Sequence, residues 1–100
     1  MRFINKTVFI TGAAGGIGRQ TGLSFAKEGA NVAVSDLDFD MASRVAKEIK
    51  SAGGSAEPFK LDVTNQNETI ENMKNAYEHF GSLDIAFCNA GIREIVSPLE

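Results

Sequence analysis

Short β-branched runs alternate with longer segments of helical period from the first residues of the chain to Asn89, and that order leaves few ways to fold. Lys6-Thr-Val-Phe-Ile10 is an apolar run stopped by Thr11-Gly12, the pattern of a strand buried on both faces. From Gly16 to Lys27 one helical row holds Ile17, Thr21 and Phe25, and a row of small residues beside it holds Gly18, Gly22 and Ala26. The small row predicts a helix lying close against a sheet, with Gly29 as its C-terminal cap. Asn31 to Ser35 reads as a second strand, stopping at Asp36. Ala42, Val45, Ala46 and Ile49 mark a second amphipathic helix, which Gly53-Gly54 breaks. A third strand is expected from Ala56 to Val63, at the sheet edge because Pro58 cannot donate to a ladder. Asn65 and Glu68 read as a cap and its partner, followed by a buried stripe of Ile70, Met73, Tyr77 and Phe80 ending at Gly81. Leu83 to Cys88 is the fourth strand. Connections of this length cannot be hairpins, so the expected fold class is α/β, a doubly wound parallel sheet.

Composition agrees with one globular unit spanning residues 1–100: 43% of the residues are apolar and 23% charged. The formal charge of -3, with Lys and Arg scattered singly, offers no basic stripe for a phosphate backbone and argues against nucleic acid as a partner. Cys88 is the one cysteine, so an internal disulfide is excluded and a small buried apolar role is expected for it. No apolar stretch approaches the length of a membrane span, and a cytoplasmic setting with no membrane partner is the expectation.

The segment Thr11-Gly-Ala-Ala-Gly-Gly-Ile-Gly18 stands between the first strand and the first helix. There Gly12 permits a tight turn, Gly16 leaves room for a pyrophosphate against the backbone, and Gly18 lets helix and strand pack closely. Gly15 and Ile17 in the same segment join the candidate cofactor contacts. The helix N-terminus behind them presents free N–H groups and a partial positive charge. Asp36 follows at the end of the second strand, where a carboxylate can accept both hydroxyls of an adenosine ribose. It would face a 2'-phosphate as a like charge, which favours NAD(H) over NADP(H), and Leu37 beside it supplies no guanidinium to reverse the preference. Asp38 and Asp40 read as N-cap residues of the second helix. Arg19 reads either as a phosphate ligand or as a solvated residue of the first helical turn.

Taken together, Thr11-Gly-x-x-x-Gly-x-Gly18, Asp36, Asp62-Val63 and Asn89-Ala90-Gly91 resemble the classical short-chain dehydrogenase/reductase family, collinearly over the whole chain. The resemblance implies a Rossmann-type fold, with Asp62 accepting from the adenine amine and Val63 covering a ring face. It also implies a loop of Asn89, Ala90 and Gly91 closing over the cofactor ribose, with Ile92 beside it. Cys88 departs from the Asn that the family often carries there.

The family's chemistry needs an Asn, a Ser, and a Tyr followed four residues later by a Lys, so that a phenol of lowered pKa can exchange a proton while hydride moves. Tyr77 has Gly81 four residues on, and His79 stands near a helix end where a dipole contact is the expected role, so no catalytic and no metal-binding residue is assigned. Ser97-Pro-Leu-Glu100 has the form of a capping box announcing a further helix. The chain is therefore expected to be the NAD(P)-binding half of a Rossmann domain, truncated after the fourth strand and inactive alone. Its intact parent is expected to be a homo-oligomeric, NAD-dependent oxidoreductase acting on a small-molecule secondary alcohol or ketone. Two other readings stand beside it: a nucleotide-binding module without catalysis, and an S-adenosylmethionine methyltransferase, which Thr11 and Asn89-Ala-Gly91 fit poorly.

Overall fold

The computed structural model describes residues 2–13 and 15–88. Along the chain run β1 (Thr7–Thr11), α1 (Gly16–Lys27), β2 (Asn31–Asp36), α2 (Phe39–Ser51), β3 (Ser55–Lys60), α3 (Gln66–Phe80) and β4 (Ile85–Cys88). The strands form one parallel sheet in the order β3-β2-β1-β4, with β1 paired to β2 on one side and β4 on the other. β3 lies at the edge, where the missing N–H of Pro58 costs the ladder nothing.

Strand side chains alternate between two cores. Val8, Ile10, Val32 and Val34 pack with Ala42, Val45, Ala46 and Ile49 of α2, and Leu23 and Phe25 of α1 lean on the same cluster. Phe9 and Ala33, on the opposite face, pack with Leu61 and with Ala76 of α3. Helices therefore cover both faces of the sheet, the doubly wound arrangement that the alternating pattern predicts. Every residue of β1 is buried, as a central parallel strand must be.

The small row of α1 sits as expected, with Gly18 and Gly22 buried, whereas Ile17 is 69% exposed. At the helix end Gly29 takes a left-handed φ of 94°, and a side chain there would collide with Ile4. Two expectations need correction. β3 ends at Lys60 instead of Val63, because the Asp62 carboxylate accepts from the Thr64 amide (3.0 Å) and hydroxyl (2.6 Å) and the Asp62 carbonyl accepts from the Asn65 amide, bending the chain into a turn. In α3 the fully buried residue is Ala76, flanked by partly buried Met73 and Phe80, while Ile70 and Tyr77 are 58% and 55% exposed. At about 100° per residue, Ile70 and Tyr77 lie roughly 100–120° round the helix from Ala76, off the stripe that meets Phe9.

Candidate functional site

The strand register aligns Thr11 with Ser35 and with Cys88, and Asp36 with Lys60, so all four strands end along one edge of the sheet. Between β1 and β4 the winding of the chain reverses direction, and in open parallel sheets the crevice beyond the strand ends at such a point is where ligands bind.

Gly12 leaves β1 with a left-handed φ of 62°, a conformation that side chains resist. The Ala13 amide then donates to the Ser35 carbonyl at 3.0 Å, which ties the glycine turn to the end of β2. Ala14 lies outside the described residues. Gly15 is the N-cap of α1, with extended angles and no side chain to offer, and the first turn of the helix holds no acid. The other two helices differ. In α2 the Asp38 carboxylate accepts from the Met41 amide at 3.1 Å and Asp40 sits in the first turn; in α3 Asn65 accepts from the Glu68 amide at 3.0 Å and Glu68 itself supplies the acid. Asp38 and Asn65 are thus the caps that their spacing predicts, whereas Asp40, also read as a cap, lies inside the first turn of α2.

A Cβ built on Gly15 or Gly16 meets no described atom within 4 Å beyond its chain neighbours and its own helix backbone, and neither residue has a positive φ. Packing and backbone strain therefore do not call for glycine at these two positions. Their bareness leaves open space at an α-helix N-terminus, whose free amides and partial positive charge suit an anion. Ile17 is exposed on the first turn, and Gly18 is buried.

Asp36 is half-buried at the end of β2, and its carboxylate accepts from the Asp38 amide at 3.0 Å. Leu37 is 62% exposed beside it. The Leu61 amide donates to the Asp36 carbonyl at 3.0 Å, which brings the turn carrying Asp62 and Val63 next to the ribose-binding candidate. The hydroxyl and the amide of Thr64 both donate to Asp62 and hold its carboxyl below the ordinary aspartate range, so it is an acceptor throughout the neutral region. Val63 rests partly against the Phe9, Ala33 and Leu61 core. The turn, Asp36, Leu37, Asp62 and Val63 therefore share the carboxyl edge of the sheet. Asn89, Ala90, Gly91 and Ile92 lie outside the described residues, as does the side chain of Cys88.

Arg19 is neither a plain solvated residue nor aimed outward. Its Nε donates to one oxygen of Glu48 on α2 at 3.0 Å, and a terminal nitrogen meets the other. His79 stands in the last turn of α3, as expected, where it also lies 3.5 Å from Glu57 and its ring meets Phe80 edge-on. Among the described residues no three His, Cys, Asp or Glu side chains gather as a metal site would require.

One polar cluster is not legible beforehand. At the opposite edge of the sheet the Asp84 carboxylate accepts from the Thr7 amide at 2.8 Å, the Asp84 amide donates to the Thr7 carbonyl at 2.9 Å, and the hydroxyls of Thr7 and Ser82 lie 3.0 Å apart. The bond from the Thr7 amide, and after it one from the Ser82 hydroxyl, keep the Asp84 carboxyl below its ordinary range. The available signal was the polar pair Ser82 and Asp84 just ahead of an apolar strand.

Comparison with known proteins agrees with this layout. The family model for short chain dehydrogenases matches residues 6–100. The chain is 42% identical, over 91% of its length, to an uncharacterized oxidoreductase, YxbG, of Bacillus subtilis (strain 168), and spans 33% of that relative. A hydroxysteroid dehydrogenase crystal structure from Escherichia coli superposes with a TM-score of 0.87 at 36% identity, covering 98% of this chain and 43% of that one. A 7α-hydroxysteroid dehydrogenase solved with NADH and 7-oxo glycochenodeoxycholic acid superposes with a TM-score of 0.82 at 38% identity, covering 85% of this chain and 33% of that one. With the family pattern matched from β1 onward and the same parallel sheet beneath it, the chain belongs to the short chain dehydrogenase family.

Proposed function

We propose that this chain holds NAD(H) as the cofactor half of an oxidoreductase that exchanges hydride between nicotinamide and a secondary alcohol or ketone. The observation that carries the reading is the N-terminus of α1, which has no side-chain cap, no acid and no Cβ over Gly15 and Gly16, one strand away from Asp36. The amides of Gly16, Ile17 and Gly18 would face the pyrophosphate, Asp36 would accept from the adenosine ribose, Leu37 and Val63 would flank the adenine, and Asp62 would accept from its amine. Gly12 sets the turn, and Asn89, Ala90 and Gly91 would close over the nicotinamide side of the cofactor. Nicotinamide, when bound, supplies the hydride acceptor or donor.

The negative charge of Asp36 selects against a 2'-phosphate, and a structural neighbour carries NADH. Tyr77 stands half-exposed on α3 with Gly81 four residues on, so the proton-transfer groups of the reaction are proposed to come from outside residues 1–100. In this reading residues 1–100 are a Rossmann half-domain that is inactive alone, and the parent works in the cytoplasm as a homo-oligomer on a small-molecule substrate. The same position of Tyr77 is what favours the second reading, a nucleotide-binding module without catalysis.

Titration of the chain with NADH, followed by cofactor fluorescence, tests the shared core of both readings. Saturable binding is expected, with S-adenosylmethionine failing to compete. Gly16→Val should abolish it while far-UV circular dichroism stays unchanged, since the added Cβ points into open space where the pyrophosphate would lie. A folded Gly16→Val protein that binds NADH as well as the wild type would reduce the glycine segment to a structural turn.

A further inference from the structure

Arg19 is the one Lys or Arg between Thr7 and Ala26, and it stands one helical turn after Gly15, where the phosphate cradle begins. Side chains on an α-helix lean toward its N-terminus, so a guanidinium at this position, left to itself, reaches back along α1 toward the cradle. That end of α1 adjoins the end of β2, because the Ala13 amide is bonded to the Ser35 carbonyl, next to Asp36. A cation delivered there would meet whatever is attached to the adenosine ribose. Instead Glu48 grips Arg19 with both carboxylate oxygens, turning it sideways onto α2 and cancelling its charge.

We propose that Glu48 is a specificity-determining residue which, by holding Arg19 on α2, withholds the one cation of α1 that could accept a cofactor 2'-phosphate. It rests on the reading of the site as a dinucleotide site, and it adds to the like-charge repulsion of Asp36 a second, removable element of selection. Both partners are nearly half exposed, so the grip is a modest one that a single substitution releases. Lys60, in register with Asp36 on β3, remains in place in every variant below and gives a constant background.

The experiment titrates the chain with NADH and with NADPH and compares the wild type, Glu48→Gln, Arg19→Gln and the double variant. Glu48→Gln should tighten NADPH roughly fivefold more than NADH, whose only share of the freed charge is at the common pyrophosphate, an effect that shrinks with added salt. Arg19→Gln and the double variant should show no such gain. An unmoved ratio of affinities in folded Glu48→Gln overturns the proposal, and so does a gain that persists in the double variant, because it would then follow net charge alone. If Glu48→Gln unfolds, Arg19→Lys keeps the cation, loses the two-point grip and should shift the ratio in the same direction; no shift overturns the proposal. A wild-type chain that binds neither cofactor brings down the dinucleotide reading itself, an outcome distinct from NADH binding with an unmoved ratio.

Discussion

Gly12 and Asp36 were legible in place because the sequence marks where strands stop: a left-handed turn directly after β1, and the polar end of β2. The partners of Arg19 and Ser35 were not legible, since neither lies nearby in the sequence. Arg19 finds Glu48 across a whole βα unit, and no local pattern announces that contact. Ser35 is fully buried on β2, and its hydroxyl has no hydrogen-bond partner among the described residues. A buried, unsatisfied hydroxyl keeps its desolvation cost with nothing to offset it. Ser35→Ala should therefore stabilise the chain by roughly 1 kcal/mol, read from urea unfolding, with NADH affinity intact because the backbone carbonyl still accepts from Ala13. A loss of stability in that variant would mean that the hydroxyl has a partner in solution.

At the scale of elements, strand positions and helix faces followed from period and punctuation, and the misreading of α3 shows where that method stops. Ile70, Met73, Ala76, Tyr77 and Phe80 spread over too wide an arc for all to face the sheet. Size alone favours the large residues, but the one fully buried position of α3 falls to Ala76, in the cluster with Phe9, and its small side chain lets the helix approach. The helix α1 raises the opposite question of how small a residue must be. A Cβ on Gly22 would stand 3.6 Å from both Ile10 and Val32 and 3.9 Å from Ile49, ordinary contact distances, so the site has room for one methyl group. Gly22→Ala should raise stability by about 0.5–1 kcal/mol through helix propensity. Gly22→Leu drives further atoms into Ile10 and Val32 and should cost about 1–3 kcal/mol. Both values can be read from the midpoints of one denaturant series. If Ala destabilises as much as Leu, helix and sheet lie closer than these distances say.

For the molecule as a whole, β4 joins the sheet only through β1 among the described residues, and its entry is fastened by Asp84. The Thr7 amide donates to the Asp84 carboxylate, the Ser82 hydroxyl adds a second bond, and Lys6 contributes a weaker attraction, all of which favour the ionised form. A carboxyl whose folded-state pKa is depressed releases its proton more readily when folded, so over the interval between the folded and unfolded values the unfolded chain binds more protons. Stability then rises with pH across that interval: the contribution is fully present above the unfolded value and is lost as pH falls through the folded one. Asp62, depressed by Thr64, acts with the same sign. Thermal unfolding of the wild type between about pH 6 and about pH 3 should therefore show a falling midpoint, and Asp84→Ala should start lower at the neutral end and fall less steeply. Asp84→Asn keeps an acceptor for the Thr7 amide but no charge, so its midpoint should lie between the other two at neutral pH, with the shallower acid slope of Asp84→Ala. Equal acid slopes in all three proteins would show that the Asp84 charge does not fasten β4, leaving the fall to Asp62 and the remaining carboxylates.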